Sequence, residues 1–443
     1  MANLIKKNNK KTSGIDIGSE KIFISVEDKE VRNFGTYTES YIDAVKYLKE
    51  EGIETVAMEA TGVYWITFYD LMVKAGIDVY VVNAASVKNV PGRKTDVQDC
   101  QWIQQLHSFG LLKKSFIPEE KIGQLRLYVR IREDHIQIGA THIQHIQKAF
   151  ILMNIKLHNV ITQVQGASGR RIIEAILKGE RDPNKLVELC ETSILKNKRE
   201  DVIKSLQGTF KSEHLFALKQ AYEGWKFYQS KIKECDVEIN KLLNEMTKGK
   251  AVPENLSKAK RIVHNKPNIE KFHEKMMTIT EGKDGTRIPG FTDYSLMKLI
   301  AEVGTDLSRW STPKQFTSWL GLAPGKHTSG KIKKRSKKKI NTKAGQLFKE
   351  SAHGLLKSKH IALGAFARRL RAKRGPSVAI KATARKLAIM FYNIMTKGME
   401  FVEEGIKKYE QKYKESIIKS LNKRAAQFDL QLVSISDRCN MVH

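Results

Sequence analysis

Short apolar runs alternate with amphipathic stretches over the first 120 residues. Two segments, SYIDAVKYLKEEG and VYWITFYDLMVKAG, place apolar residues three or four positions apart and end at glycines, a pattern that predicts helices. The predicted strands are an apolar run ending near Asp16 and the segments KIFISVED, VRNFGTYT, TVAMEA and DVYVVN. Three strands able to pair as a meander, followed by alternating helix and strand, predict a mixed α/β domain.

The pattern changes after residue 120. From Lys121 to about Met277 the chain is charged, poor in proline and mostly helical in its periodicity. Two segments of this region, LRLYVRIREDHIQIGATHIQHIQKAFILMNI and KSEHLFALKQAYEGWKFYQSKIKECDVEINKLLNEM, keep helical spacing over many turns. Helices of this length with charged outer faces predict a helical hairpin or coiled-coil arm, which can mediate oligomerisation.

A third section begins near Thr278 and is predicted to be mostly α-helical. Its segment IPGFTDYSLMKLIAEVG is typical of a helix-hairpin-helix element, whose helix N-termini and backbone amides contact phosphates without reading sequence. A plain helix-turn-helix packing unit accounts for the same pattern. The predicted domains are an α/β domain (1–120), a helical connecting region (121–277), a C-terminal domain (278–400) and a charged helical tail (401–443).

The charge of the chain restricts its partners. The formal net charge is +30 and the sequence pI is about 9.7, an excess that favours a polyanion and, above all, nucleic acid. Mean hydropathy is −0.41 and no apolar run is long enough to cross a bilayer, so a membrane partner is not expected. The four cysteines are widely spaced and the opening residues lack the apolar core of a secretory signal, which together predict a reducing cytoplasm.

Four acidic residues stand at positions suited to metal chemistry. Asp16 follows the first strand, Glu59 ends a later one, and Asp96 and Asp99 share a face at the start of a predicted helix over 92–112. Each acid also has an ordinary explanation as a turn, strand-end or first-turn residue. Together they have the arrangement of ribonuclease H, in which carboxylates bind two Mg²⁺ ions about 3.5–4 Å apart that act on a phosphodiester.

The opening GIDIG motif has a second interpretation. The same strand and turn begin sugar kinases and actin-like ATPases, where the turn binds phosphate. Those folds need a second Asp-Gly phosphate loop and a glycine-rich adenosine site, and the sequence has neither. A net charge of +30 is also unexpected for a metabolite kinase.

A serine lies at the start of the most basic stretch. The Thr328-Ser329-Gly330 corner is followed by an almost uninterrupted run of lysines and arginines, which would neutralise backbone phosphates without reading sequence. A hydroxyl in such a run can be a nucleophile toward a phosphodiester, although by chemistry alone a Ser-Gly pair is more typical of a turn.

Basic residues on the first long helix are further candidates for phosphate contacts, whereas its histidines His135, His142 and His145 lack the additional ligands that a zinc site needs. The candidate nucleic-acid-binding residues are Arg93, Lys94, Arg126, Arg130, Arg132, Lys326, Lys331, Lys333, Lys334, Arg335, Lys337, Lys338 and Lys339.

Taken together, these motifs resemble the DEDD transposases of the IS110 family of insertion sequences. The resemblance runs in order from about Ser13 to Gly398, through GIDIGSEKIFISV, MEATGVYW, NAASVKNVPGRKTDVQDCQWIQQLHSFGLL, GASGRRIIEAILKGERDP and IPGFTDYSLMKLIAEVGTDLSRWSTPKQFTSWLGLAPGKHTSGK. It implies a RuvC-like nuclease domain of RNase H fold, a helical coiled-coil connection and a mostly α-helical C-terminal transposase domain.

The resemblance also implies the catalytic residues. The family's serine, which attacks DNA and forms a covalent phosphoserine link, falls on Ser329 rather than Ser336. The Ser-Ser-Gly-Gly run common in the family is here Thr328-Ser329-Gly330-Lys331. The metal-binding carboxylates that the resemblance implies are Asp16, Glu59, Asp96 and Asp99.

The partners implied by the resemblance are the DNA of the element ends and target, a structured non-coding guide RNA called the bridge RNA, and further copies of the chain in a dimer or tetramer. The function expected is that of a cytoplasmic, Mg²⁺-dependent, RNA-guided recombinase that moves its own element. Two alternatives stay open: a RuvC-type structure-specific nuclease that uses activated water, and a non-catalytic nucleic-acid-binding derivative.

Overall fold

The computed structural model describes residues 7–83, 87, 95–324, 326–329, 332–335, 342–358 and 361–432, with the backbone alone for 326–329, 332–335 and 401–406. Contacts between residues divide the chain into two compact units, Met1–Ile117 and Pro118–His443. We call them the N-terminal unit and the C-terminal unit. None of the described helices is long and apolar enough to cross a membrane.

The N-terminal unit is built on a five-stranded sheet within the described residues. Strands β1 to β3 form the predicted antiparallel meander, and β4 and β5 add parallel to β1, which gives the order β3-β2-β1-β4-β5. The strands are β1 Thr12–Ile17, β2 Lys21–Val26, β3 Arg32–Gly35, β4 Thr55–Glu59 and β5 Asp78–Val82. This mixed sheet confirms the predicted α/β fold class of RNase H/RuvC-like type.

Among the described residues, three helices cover the two faces of this sheet. Helices α1 (Thr38–Glu50) and α2 (Trp65–Lys74) cover one face and α3 (Asp96–Ser108) covers the other. Side chains alternate between the two faces along each strand. In β1, Ile15 and Ile17 pack with α1 and α2, whereas Gly14 and Asp16 lie on the α3 side. The sheet is therefore buried on both sides, as its apolar strands predict.

Two long helices dominate the first part of the C-terminal unit. Helices α4 (Glu120–Leu152) and α9 (Ser212–Thr247) pack along each other. They are antiparallel, as shown by the contacts of Arg132 with Asp236 and of His142 with Gly224. This pair confirms the predicted helical hairpin. Shorter helices between them share its apolar core: α5 Leu157–Val160, α6 Ala167–Leu177, α7 Pro183–Val187 and α8 Thr192–Ser205.

Residues 248–271, which the sequence placed in the helical region, are irregular. They are held by polar contacts instead of helical hydrogen bonds. The carbonyl of Asn265 accepts from the Arg132 guanidinium, and the backbone N–H of Asn268 donates to Asp236. The Lys260 ammonium donates to the carbonyl of Thr286.

The C-terminal part is a helical bundle with one small hairpin. Helices α10 (Phe272–Ile279) and α11 (Asp293–Val303) flank the turn at Pro289-Gly290, and we call this pair the helix-hairpin-helix-like element. The central helix α15 (Pro376–Lys397) buries Leu387 and Phe391. The helices are α10 Phe272–Ile279, α11 Asp293–Val303, α12 Pro313–Trp319, α13 Lys343–Leu355, α14 Ala362–Arg374, α15 Pro376–Lys397 and α16 Met399–Ala425. Strands β6 (Lys326–Ser329) and β7 (Ile332–Arg335) pair antiparallel in the basic stretch where the sequence predicted only turns.

Candidate catalytic centre and nucleic-acid contacts

Strands β1 and β4 direct two of the four candidate acids to the same face of the sheet. Val56 and Met58 of β4 pack with α1 and α2, whereas Ala57 packs on the side of α3. Successive side chains of a strand alternate between faces, so Asp16 and Glu59 both lie on the α3 side. The parallel register pairs Ile15 with Met58, and the two acids follow immediately on neighbouring strands.

Helix α3 brings the other two acids to this face. It packs directly on β1, since a Cβ atom at Gly14 would lie 2.2 Å from the backbone nitrogen of Gln104. Only a residue without a side chain allows this approach. The helix begins at Thr95, whose hydroxyl accepts from the N–H of Gln98, and its first turn contains Asp96 and Asp99.

The charges of the other three carboxylates act on Asp16. The pKa of Asp16 is raised from 3.8 to about 6, first by burial and then by the negative charges of Asp96, Asp99 and Glu59. Like charges at this range disfavour ionisation of a partly desolvated carboxylate. The four acids, scattered over 84 positions of the sequence, therefore meet at one place in the N-terminal unit.

The chemistry of this donor set fits a hard divalent cation. Carboxylate oxygens are the ligands that Mg²⁺ prefers, and a cation would offset the repulsion that raises the pKa of Asp16. Within the described residues, no three His, Cys, Asp or Glu side chains already converge closely enough to hold an ion. The acids are thus near neighbours without a closed coordination sphere.

An exposed apolar turn lies next to Glu59. The sequence placed Val63 and Tyr64 in a helix, but α2 begins at Trp65, and these two side chains are 71% and 49% exposed. Gly62 has φ +53°, and the ring of Tyr64 lies against it. The signal that sequence reasoning missed was the glycine after Thr61, which ends the regular pattern before the helix.

The structure locates only part of the predicted basic segment. Ser329 is the last residue of β6, paired with Ile332 across the hairpin. Lys326, Lys333, Lys334 and Arg335 lie on the same two strands. The remaining predicted positions lie outside the described residues: Arg93, Lys94, Lys331, Ser336, Lys337, Lys338 and Lys339.

Three arginines predicted to contact phosphate make contacts within the C-terminal unit. Arg132 is 1% exposed and donates to Asp236 at 2.6 Å, so a buried ion pair replaces the expected phosphate contact. Arg126 donates to the carbonyls of Ala301 and Glu302, and Arg130 binds the carboxylate of Glu302 through two nitrogens at 2.9 Å. These arginines fasten α4 to α11.

The histidines of α4 pack against aromatic rings. His142 stacks on Tyr228 with ring centroids 5.6 Å apart, and His135 lies 5.7 Å from the same ring. His145 contacts His142 edge to face.

A polar cluster that sequence reasoning missed joins residues 248–271 to the helix-hairpin-helix-like element. His273 Nδ1 lies 2.7 Å from Asp293 Oδ1, and His273 Nε2 lies 3.3 Å from Ser257 Oγ. The order resembles a serine–histidine–aspartate relay, but the Ser257 hydroxyl donates to Asp284 at 2.6 Å. The imidazole therefore does not receive the serine proton, and these hydrogen bonds hold residues 248–271 against the helix-hairpin-helix-like element.

Comparison with known families gives two matches. Residues 13–154 match a family model described as a transposase of the DEDD IS110 type. Residues 286–359 match a model described as a transposase of the IS116/IS110/IS902 family. No curated protein matches the chain. The first match contains all four acids, and the second contains Ser329 and the basic hairpin.

Proposed function

The chain belongs to the IS110 family of insertion-sequence transposases, and on this premise we propose that it cuts and rejoins DNA through a metal centre in its N-terminal unit. The observation that carries the proposal is the electrostatic coupling of Asp16 to Asp96, Asp99 and Glu59 on one face of the sheet. Three neighbouring negative charges disfavour the ionised form of a carboxylate that has only a structural role. A divalent cation, by contrast, is bound by several carboxylate oxygens together.

In this centre Asp16 and Glu59 bind from the sheet, and Asp96 and Asp99 bind from the first turn of α3. The packing of α3 on Gly14 fixes the separation of the two pairs. Bound Mg²⁺, in one or two ions, would stabilise the negative charge that develops on the phosphate and the leaving oxygen. The four carboxylates would hold the ions in place.

We assign the attack on DNA to Ser329. Its hydroxyl would form an Oγ–P bond while the bond from phosphorus to one deoxyribose oxygen breaks, and that oxygen takes up a proton. Lysines and arginines on β6 and β7 would hold the DNA backbone beside the serine. The assignment rests on the position of Ser329 within the matched segment and on its basic surroundings.

The proposed partners are the element and target DNA, a structured guide RNA that selects sequence by base pairing, and further copies of the chain. The net charge of +30 supports a protein that holds two kinds of nucleic acid backbone. In this division of labour, base pairing supplies specificity and the protein supplies chemistry. Such an enzyme would work in the cytoplasm.

The metal centre is tested by replacing each of the four acids with alanine in a plasmid recombination assay. Loss of strand cleavage is expected in all four variants with the fold retained. Asp43→Ala is the matched control, because Asp43 is an exposed acid on α1 of the same unit. Activity in three of the four variants would end the metal hypothesis.

The serine is tested separately by Ser329→Ala, with Ser336→Ala as the control. The variant should form no covalent protein–DNA adduct, and peptide mapping of the wild-type adduct should identify Ser329. Cleavage that persists in Ser329→Ala, with acids still required, would instead indicate a RuvC-type nuclease that uses water. Binding without any cleavage in Mg²⁺ would indicate a non-catalytic derivative.

A further inference from the structure

The C-terminal unit contains a long stretch with almost no negative charge. Residues 307–399 have one acidic residue, Glu350, against 23 lysines and arginines. The basic hairpin of β6 and β7 accounts for only part of this excess. Helices α14 and α15, further along, contain no acid at all.

Some cations of these two helices are used inside the bundle. The Arg368 guanidinium donates to the carbonyl of Ser358. The Lys386 ammonium lies 4.6 Å from the ring centre of Phe366 and 4.9 Å from that of Tyr409. These contacts stabilise the packing of α14, α15 and α16, so Arg368 and Lys386 have structural roles.

Among the other exposed cations of these helices, Arg369 acts electrostatically on Tyr409 of α16, and four lie closer in sequence to the end of α14 and the start of α15. Arg371, Lys373, Arg374 and Lys381 are exposed, and within the described part of the chain none of them is ion-paired with a carboxylate. We call these four residues the tip cations. They contrast with the exposed lysines of α9, where Lys219, for example, lies 4.0 Å from Glu223.

The backbone gathers the tip cations at one place. Helix α14 ends at Arg374 and α15 starts at Pro376, so a single residue, Gly375, makes the corner. Gly375 has φ +85°, and a Cβ atom there would meet nothing within 4 Å. The corner is therefore open, with three cations on one side of it and Lys381 on the other.

Like charges are also close together beside this corner. The pKa of Lys349 on α13 is lowered, first by burial and then by the charge of Lys381. Cations held near one another repel, and this repulsion costs stability. An anionic partner would remove it.

The helix dipole explains only part of this arrangement. Cations in the last turn of α14 face the negative end of its dipole, which is favourable for Arg371, Lys373 and Arg374. Lys381 lies in the second turn of α15, nearer its positive end, where a cation gains nothing from the dipole. Its position needs another reason.

We propose that the α14–α15 corner, through its four tip cations, is a contact site for the phosphodiester backbone of nucleic acid. The proposal rests on the proposed function in that it takes nucleic acid as the partner, but it requires neither the metal centre nor the serine. A repeated phosphate backbone fits several cations spread over a corner, and binding there is blind to sequence. Val378, 42% exposed, is the only large apolar side chain exposed on the described residues of these two helices, so a lipid surface has little to bind.

The test measures binding by the full-length protein in EDTA, where no cleavage takes place. The variant Arg371→Gln/Lys373→Gln/Arg374→Gln/Lys381→Gln is compared with the wild type on duplex DNA and on duplex RNA, over a range of salt concentrations. Each lost phosphate contact lowers the slope of log affinity against log salt by about 0.9 on DNA, so four contacts lower it by about 3 to 4. The arm with the larger loss identifies the nucleic acid held there.

The matched control removes four cations of α9, each of which has a carboxylate partner: Lys219→Gln, Lys226→Gln, Lys231→Gln and Lys241→Gln. Its salt slope should stay near that of the wild type. An unchanged slope in the tip variant, with a lower unfolding temperature, would show that the tip cations only support the helix. An equal decrease of the salt slope in the control variant would also overturn the proposal. So would a tip variant that loses binding to phosphatidylserine vesicles but keeps its binding to nucleic acid. Absence of cleavage by the wild-type protein would leave this result intact, so the two proposals fail separately.

Discussion

Replacing Asp16 by asparagine should stabilise the N-terminal unit in the absence of divalent cations while abolishing cleavage. The folded protein raises the pKa of Asp16 from 3.8 to about 6, so folding favours the protonated form. The ionised carboxylate therefore costs stability above pH 6, and this cost fades as the pH falls toward 3.8. Asparagine keeps the shape of the side chain and removes the charge.

The size of the effect follows from the pKa. A change from 3.8 to about 6 corresponds to about 3 kcal/mol, and because Asp16 is only half-buried, solvent screening reduces this to about 1–2 kcal/mol. In EDTA at pH 7.5 the variant should gain that much, and at pH 4 it should gain almost nothing. Mg²⁺ at a hundred times its dissociation constant should stabilise the wild type by about 2.7 kcal/mol and the variant much less.

Hydrogen exchange read by mass spectrometry is the suitable assay, because it reports stability separately for peptides of β1, β4 and α3. Asp43→Asn, on the exposed face of α1, is the control and should change neither stability nor the response to Mg²⁺. The reasoning is refuted if Asp16→Asn destabilises the sheet in EDTA at pH 7.5. It is also refuted if Mg²⁺ protects the variant as well as the wild type.

Three further predictions concern the framework around the sites. Arg132→Ala should lower the free energy of unfolding in urea by about 3–5 kcal/mol, because it leaves Asp236 charged and buried without a partner. Replacing Arg132 by Met and Asp236 by Leu together should recover most of this loss. A fully stable Arg132→Ala variant would contradict the prediction. Gly14→Val should displace α3 and abolish cleavage together with Mg²⁺ protection, since its side chain would collide with the backbone of Gln104; an active, stable variant would show that the helix can move. His107 is 1% exposed, and its burial lowers its pKa from 6.5 to about 4. The free energy of unfolding of the N-terminal unit should therefore fall by up to about 3 kcal/mol as the pH drops from 6.5 to 4. His107→Gln should remove this loss of stability in acid. An unchanged pH profile of the variant would show that other groups are responsible.

Most elements of the N-terminal unit were predictable because their signals are local. Strand alternation, helical spacing and glycines such as Gly52 and Gly76 at the ends of helices depend only on neighbouring residues. The identity of the four acids was predictable for a different reason, since motifs around each of them are specific in combination. Their proximity could be expected from the strand order of the fold, but the close approach of α3 at Gly14 could not.

The irregular segment 248–271 was missed because its conformation depends on distant partners. Residues 248–271 contain the helix breakers Gly249, Pro253 and Pro267, which indicate an interruption of the helix but do not say what conformation replaces it. Their actual conformation depends on Arg132, Asp236 and Asp284, which lie outside the segment. No local pattern contains that information.

The sequence by itself indicated a basic protein with an α/β nuclease-like N-terminal domain, a mostly helical remainder, four candidate acids and a family resemblance. Only the tertiary structure decided how its many cations are used. Arg132 and Arg371 look alike in sequence, each among other basic residues on a helix. One is buried against a carboxylate 104 positions away and the other stands exposed at an open corner. The role of a charged side chain depends on whether folding brings it an opposite charge, and that is a property of the packed chain.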